Sequence, residues 1–361
     1  MTASEQQPSP RVADYERIAA QAATSVATFD EDEASPLRRV QYFLHSNPTA
    51  IPAIVLLLGV ALFSAVVGGR FLHPFNFSLV LQQVTIIGFV AIAQSLIVLT
   101  AGIDLSVGAI MVLSSVVMGK LAVTLEIPVP IAVVAGVLVG AVCGLINGTL
   151  VTRFRLPPFI VTLGTWSMFF ALNLWYSGSE TIRAQDIQAT APFLQLAGTS
   201  IELLGARVTL GSVIMLGMFA LFWYILNWTA YGRHIYAVGD DPDAARLAGI
   251  STDKLLLSVY VLAGLICSIA GWALIGRIGS VSPQAGYTAN LDSITAVVIG
   301  GISLFGGRGS IFGPLVGALI VGVFRNGLAL AGVEVLWQEF TVGILIIVAV
   351  AIDQWLRRVS A

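Results

Sequence analysis

Charged residues are scarce in this chain, at 11% of its 361 residues, whereas 57% are hydrophobic. The mean hydropathy is +0.90. Soluble globular domains carry about a quarter charged residues and cover much of their surface with polar groups. This composition cannot cover a water-facing surface, so it excludes an ordinary soluble domain and indicates that lipid surrounds most of the chain.

An excess of positive charge is also missing, because the formal net charge is −2. Proteins that bind nucleic acid normally present a clustered basic surface, so we expect no nucleic-acid partner. The two cysteines, Cys143 and Cys267, both fall in apolar stretches. Cysteines there act as small hydrophobic residues more often than they form a disulfide, so they indicate no redox compartment.

Residue patterns typical of catalysis are absent as well. No GxxxxGK[ST] phosphate-binding loop occurs in the sequence, so the chain has no recognisable ATP site of its own. The three histidines, His45, His73 and His234, are too scattered to indicate a metal centre. We therefore expect no catalytic residues, no metal and no cofactor.

Long apolar stretches dominate what remains. A membrane-spanning helix needs about 20 apolar residues, and stretches of about that length recur from Ile51 to Trp355. The sequence therefore predicts an all-α, polytopic transmembrane helical bundle over residues 51–358 with about ten spans, the eighth being too short to cross fully. The predicted spans are Ile51–Gly68, Leu79–Thr100, Ser106–Leu125, Pro130–Val151, Pro158–Tyr176, Val208–Trp228, Lys254–Ile275, Leu291–Leu304, Phe312–Ala331 and Phe340–Leu356.

Residues 1–50 differ from the rest, because acidic residues and arginines are interspersed there and no apolar signal-peptide core precedes Ile51. We expect them to form a solvated, disordered tail. Lysine and arginine are retained preferentially in short cytoplasmic loops, and with the amino end inside, most of them fall on the inner side. This predicts that both termini and residues 229–253 are cytoplasmic, and that residues 177–207 form an external loop.

A polar insert, YGRHIYAVGDDPDAARLAGI at Tyr231–Ile250, separates two apolar stretches. Its charges would each cost several kcal/mol near the bilayer centre, so it must lie in water or against protein. Asp241 and Pro242 form a helix-start signal, small residues follow, and Gly249 provides a stop. The pattern predicts a short capped helix, which either docks on another protein or simply joins two spans.

Four stretches together resemble the permease subunits of bacterial ATP-binding-cassette (ABC) monosaccharide importers, the ribose, xylose, arabinose and fructose group. The resemblance extends from about Pro52 to Arg358. Its stretches are LTAGIDLSVGAIMVLSS at Leu99–Ser115, GLINGTLVTRFRLPPFIVTLGT at Gly144–Thr165, the insert itself, and VIGGISLFGGRGSIFGPLVGALI at Val298–Ile320.

The resemblance implies a homodimeric permease in the bacterial inner membrane. It would be driven by a cytoplasmic ABC ATPase and supplied by a periplasmic sugar-binding protein. It also implies that the insert couples the permease to the ATPase through Gly232, Arg233, Asp240, Asp241, Pro242, Ala244, Ala245, Arg246 and Gly249. Ribose, xylose and fructose are not separable on the sequence, with overall similarity leaning toward fructose or ribose.

Polar residues inside predicted spans are candidates for a sugar route, because lipid-facing positions penalise them. They are Gln94, Asp104, Asn147, Asn173, Asn290, Asp292 and Asn326. Each has a structural alternative, namely bridging helices, capping a broken helix or satisfying freed backbone groups. For Asp104, beside Gly102 and Ser106, capping is favoured over contact with substrate. Arg325 also lies inside a span, and the sequence identifies no partner for it.

An ion-coupled secondary sugar transporter remains an alternative. It would show a buried carboxylate or a helix break serving an ion, and it would work without a partner. A membrane-embedded enzyme would need convergent catalytic groups, which the sequence does not contain.

Overall fold

The computed structural model describes residues 50–203, 205–286 and 288–360, without the side chains of residues 203, 349, 350 and 352–360. The predicted tail, apart from Ala50, lies outside the described residues. Most of the described residues are helical, and their two strands form one antiparallel hairpin, in which Ser200 pairs with Thr209 and Leu203 with Ala206. The all-α prediction is therefore confirmed at the level of fold class.

The elements follow one another along the chain with short connections. They are α1 (Ala50–Val67), α2 (Pro74–Leu99), α3 (Val107–Gly119), α4 (Val129–Thr152), α5 (Pro158–Ser177), α6 (Ala184–Thr190), β1 (Ser200–Leu203), β2 (Ala206–Thr209), α7 (Leu210–Trp228), α8 (Ala230–Asp240), α9 (Pro242–Leu247), α10 (Thr252–Ile278), α11 (Ala289–Ile299), α12 (Phe312–Leu330) and α13 (Val335–Ser360). A π-helical stretch, Lys120–Thr124, extends α3.

Eight of the described helices are long and apolar enough to cross a membrane. They correspond to the first seven predicted spans and the ninth. The eighth prediction, Leu291–Leu304, corresponds to α11, which has only 11 residues. The tenth falls within α13, whose described apolar part is also shorter, Val335–Val348. The chain is thus a polytopic membrane protein.

Helix α2 lies at the centre of the bundle. In its most apolar window 83% of the residues are buried, compared with 17% in the window of α1. Helices α4 and α10 pack on each other through facing glycines. A Cβ on Gly140 would overlap the Gly264 carbonyl oxygen, so the absence of side chains allows the two backbones to approach closely. The core therefore surrounds α2, whereas α1 presents most of its apolar surface outward.

The predicted external loop has more structure than the sequence indicated. It contains α6, a 3₁₀ turn at Pro192–Gly198 and the β-hairpin. Its contacts with the bundle include the pairing of Ile182 with Val281, a hydrogen bond from Gln195 to the Gly279 carbonyl at 2.8 Å, and one from the Arg207 N–H to the Ser78 hydroxyl at 2.7 Å. A folded platform therefore covers this end of the bundle.

Candidate functional site

The chain between α2 and α3, which we call the first re-entrant segment (Thr100–Ser106), turns back into the bundle. The Gly102 N–H donates to the Ile97 carbonyl at 3.0 Å. In the amide orientation that satisfies both groups, Gln94 donates to the Asp104 carbonyl at 2.9 Å and accepts from the Asp104 N–H at 3.3 Å. Because Gln94 lies five residues before the end of α2, the segment runs back along that helix by about 7 Å.

Side chains from three helices hold this segment in place. Besides Gln94 on α2, Asn147 on α4 donates to the Ser106 hydroxyl at 2.8 Å, and Thr162 on α5 accepts from the Leu105 N–H at 3.1 Å. The Asp104 carboxylate accepts from both the N–H and the hydroxyl of Ser106 at 2.6 Å. It thus fixes the residue from which α3 starts. The side chain of Ser106, the N-cap residue, makes no cap hydrogen bond of its own, and Asp104 instead holds Ser106 in position.

A second re-entrant segment, residues 279–286 and 288, enters from the opposite end of the bundle. A Cβ on Gly119 would touch Val281, one on Gly286 would touch the Met111 methyl, and one on Gly108 would lie 3.3 Å from the Asn290 nitrogen. From Val281 to Asn290 the chain therefore runs antiparallel to α3 for about 16 Å, the length of 11 helical residues. Asn173 holds it by donating to the Pro283 carbonyl at 2.7 Å.

The two segments meet where α3 and α11 begin. Asn290, in the first turn of α11, donates to the carbonyl of Leu105 in the first segment at 3.4 Å. From this meeting place α3 runs toward the end that carries Val281, and α11 runs toward the opposite end. Asp292 accepts from the Thr288 hydroxyl at 3.1 Å, which ties the second segment to α11. Two interrupted helices thus start from one point inside the bundle.

The structure assembles six of the seven polar candidates around these segments. Gln94, Asp104 and Asn147 hold the first, Asn173 and Asp292 hold the second, and Asn290 joins α11 to the first. Asn326, on α12, is buried, and its Oδ1 has no hydrogen-bond partner among the described residues. Inside a membrane, backbone groups freed by a helix break need hydrogen-bond partners such as the side chains of Gln94 and Asn173. Thr162 performs the same task, but a threonine in an apolar helix carries no signal that would have singled it out.

The insert folds into two helices, α8 and α9. The Asp241 carboxylate accepts from the N–H groups of Asp243 and Ala244 at 2.9 Å, and Gly249 ends α9 with a φ of +87°. The predicted cap, the Pro242 start and the glycine stop are all present. The helix over Ala230–Asp240 was not placed by the sequence analysis.

Exposure divides the predicted coupling residues into two sets. Arg233, Asp240, Asp241, Pro242, Ala244, Arg246 and Gly249 are exposed, whereas Gly232 and Ala245 are buried. Arg246 donates to the Thr252 hydroxyl at 3.1 Å. Leu247, which is 91% exposed, was not among the predicted coupling residues. Ala244, Leu247 and Ala248 share one face at helical spacing, and this spacing is a signal that could have identified it.

Comparison with known proteins adds independent findings. Residues 76–350 match the family model described as the branched-chain amino acid transport system / permease component. The chain is 57% identical to the fructose import permease protein of Rhizobium meliloti over 348 residues, which is 96% of this chain and 97% of that protein. It is 39% identical to the ribose import permease protein of Bacillus subtilis over 80% of this chain and 88% of that protein. It is 32% identical to the xylose transport system permease protein of Haemophilus influenzae over 84% of this chain and 95% of that protein. No solved structure matches the chain.

Proposed function

The chain belongs to the permease family of ABC sugar importers, as a multi-pass protein of the inner membrane, and we propose that it forms the route by which fructose enters the cytoplasm. It is a transport subunit rather than an enzyme. The identity of 57% to a fructose import permease over nearly the whole length of both chains supports fructose over ribose. Selection also depends on the binding protein that delivers the sugar.

Uptake tests the choice of sugar. The chain, its ATPase and its binding protein are reconstituted in proteoliposomes, and uptake of labelled fructose, ribose and xylose is compared at equal concentration. We expect fructose to be taken up preferentially and only with ATP present. Preferential uptake of ribose or xylose would contradict the choice of fructose and leave the importer assignment intact.

The proposed topology has ten crossings with both termini in the cytoplasm. In it, α11 together with the second re-entrant segment makes the eighth crossing, and α13 makes the tenth. The 11 residues of α11 cover only about half of a bilayer core, and the re-entrant segment covers the rest. In this proposed topology residues 229–253 face the cytoplasm and residues 177–207 lie outside, which the distribution of arginine and lysine favours.

We assign the coupling contact to α9. Leu247 is the most exposed of the large hydrophobic residues in the described part of the chain, although it lies in a polar insert outside the apolar helices. An exposed leucine of this kind fits an apolar groove on a partner protein. Ala245, which is 4% exposed, instead anchors α9 to the chain's own surface, so a Trp at this position would disturb the permease itself.

A matched pair of leucine variants tests this contact. Leu247→Ala is compared with Leu336→Ala, since Leu336 is 79% exposed but lies at the start of α13. We expect Leu247→Ala to lower sugar-stimulated ATP hydrolysis by about tenfold, the usual range for a central interface residue, while Leu336→Ala leaves it unchanged. If sugar stimulates ATP hydrolysis equally in Leu247→Ala and Leu336→Ala, the docking role of α9 is contradicted.

The external platform is proposed as the surface for the periplasmic sugar-binding protein. Glu180, Arg183 and Asp186 are exposed on it, and Glu202 and Arg207 form a surface ion pair at 3.1 Å. Exposed charges of both signs suit a partner that docks and leaves in each cycle. We further propose that two copies of the chain enclose the central route, each with its own ATPase contact.

The alternative, an ion-coupled carrier, has one structural observation in its favour. Asp104 is a buried carboxylate at a helix break, as such a carrier requires. However, Asp104 Oδ1 already accepts two hydrogen bonds from Ser106, so it serves the fold. Proteoliposomes that contain this chain alone decide between the two, because sugar uptake without an ATPase would favour the carrier.

A further inference from the structure

Three backbone segments converge at one end of the bundle. They are the end of α8 at Gly239, the end of α2 with the start of the first re-entrant segment at Leu99 and Ala101, and the hairpin-shaped loop between α11 and α12 (residues 300–311, below called the hairpin) at Gly306 and Gly307. The Gly307 N–H donates to the Leu99 carbonyl at 3.0 Å. We call this convergence the glycine junction.

The glycine junction has no room for side chains. A Cβ on Gly239 would overlap the Leu99 carbonyl oxygen and lie 2.6 Å from the Gly307 nitrogen. A Cβ on Gly306 would lie 2.8 Å from the Ala101 nitrogen, and one on Gly307 would lie 2.7 Å from the Asp240 Cα. Backbone therefore rests directly on backbone, and no flexible side chain can absorb a displacement of α8.

One side chain reinforces the same contact. The Tyr236 hydroxyl, on α8, donates to the Gly309 carbonyl in the hairpin at 2.8 Å. Burial raises the pKa of this phenol above its usual value, so the hydroxyl stays protonated and remains a donor. By contrast, Tyr231 on the same helix lies 2.9 Å from the Ser258 hydroxyl on α10, away from the junction.

Of the three segments in the glycine junction, the two other than α8 lead to the meeting place of α3 and α11. From Leu99 the first re-entrant segment continues to Ser106, where α3 starts. From Gly306 the hairpin leads back through Ile299 into α11, which begins at Ala289 beside Gly108. The glycine junction is therefore connected to each of the two interrupted helices by only a short stretch of chain.

We propose that the glycine junction transmits movement of the coupling insert to α3 and α11, so that nucleotide-driven displacement of α8 and α9 shifts the two helices that start inside the membrane. This rests on the proposed function, because it needs an ATPase acting on the insert. Tyr236 and Gly307 act here as positioning residues through their contacts within the chain.

Two matched pairs of variants test the proposal in the reconstituted complex with fructose, ATPase and binding protein. Tyr236→Phe removes the hydrogen bond to Gly309, and Tyr231→Phe makes the same change on the same helix away from the junction. Gly307→Ala and Gly332→Ala both place a Cβ at positive φ, +67° and +80°, but only the first meets backbone, since Gly332 has nothing within 4 Å. The readout is sugar transported per ATP hydrolysed, at equal amounts of assembled complex.

We expect Tyr236→Phe to lower this ratio by about threefold to tenfold, as the loss of one hydrogen bond allows, with basal ATP hydrolysis unchanged. Gly307→Ala should lower it further, and the two control variants should keep the wild-type ratio. A wild-type ratio in Tyr236→Phe, or an equal fall in Tyr231→Phe, would overturn the proposal even where Gly307→Ala does not assemble. If wild-type complex shows no sugar-stimulated hydrolysis, the proposed function fails, and the transmission role fails with it.

Discussion

Arg325 lies with Nη2 2.9 Å from Oδ1 of Asp292, and this ion pair connects α12 to α11 next to the second re-entrant segment. The same nitrogen lies 2.9 Å from the Glu339 carboxylate on α13. The side chain of Asp292 is 7% exposed and that of Glu339 is 47% exposed. An arginine within a membrane-spanning helix is therefore paired, and it joins three helices of the carboxyl-terminal part of the bundle.

The first prediction concerns this pair. Arg325→Met leaves the buried Asp292 carboxylate without its cation, and the free energy of unfolding should fall by about 3–5 kcal/mol, as for other broken buried pairs. The double variant Arg325→Met with Asp292→Leu removes both charges and should recover much of the loss. Both are measured by unfolding in mixed micelles.

Glu339→Gln provides the control for that series. The Glu339 carboxylate is about half exposed, so the free energy of unfolding should fall by no more than about 1 kcal/mol. If Arg325→Met and the double variant lose the same free energy of unfolding, the methionine disturbs packing. The unpaired Asp292 carboxylate is then not the cause of the loss.

Local rules explain which parts of this fold could be predicted. The short helix of the insert follows from Asp241, Pro242 and Gly249, because capping depends on residues only a few positions apart. The ends of α5 and α12 also agree closely with the predicted spans. Helix α11 ends at Ile299 rather than Leu304, because Gly300 and Gly301 turn the chain while hydropathy continues across them.

The re-entrant segments could not be read from hydropathy. Residues between α10 and α11 look like an ordinary outer connection, because the sequence does not show whether a polar stretch lies on the surface or runs into the bundle. Asn173 and Pro283 are 110 positions apart, and Leu105 and Asn290 are 185 apart. The sequence identified the polar side chains as unusual but could not pair them, since the pairing depends on the tertiary fold.

The second prediction compares two asparagines that each donate one hydrogen bond to a carbonyl. Asn173→Ala removes the 2.7 Å bond to Pro283 and releases the second re-entrant segment from α5. We expect the rate of fructose uptake to fall by about threefold to tenfold, since a buried hydrogen bond contributes about 1 kcal/mol. Proteoliposomes with equal amounts of assembled complex give the measurement.

Asn227→Ala is its control, because Asn227 donates at 2.8 Å to Trp223 within its own helix and is exposed. Its uptake rate should match the wild type. If both variants transport at the wild-type rate, the bond from Asn173 has no part in transport and only positions the segment.

The third prediction concerns topology, and the chain is well suited to cysteine labelling. Its own cysteines, Cys143 and Cys267, are 4% and 0% exposed, so a membrane-impermeant maleimide should leave the wild-type protein unlabelled. Asp240→Cys adds an exposed thiol on the insert, and Gln185→Cys adds one on the external platform. In intact cells with a permeable outer membrane we expect only Gln185→Cys to react, whereas Asp240→Cys should react once the inner membrane is opened. Labelling of Asp240→Cys from the periplasm would place α9 on the wrong side of the membrane for a cytoplasmic ATPase, and the coupling contact assigned to Leu247 would then be impossible.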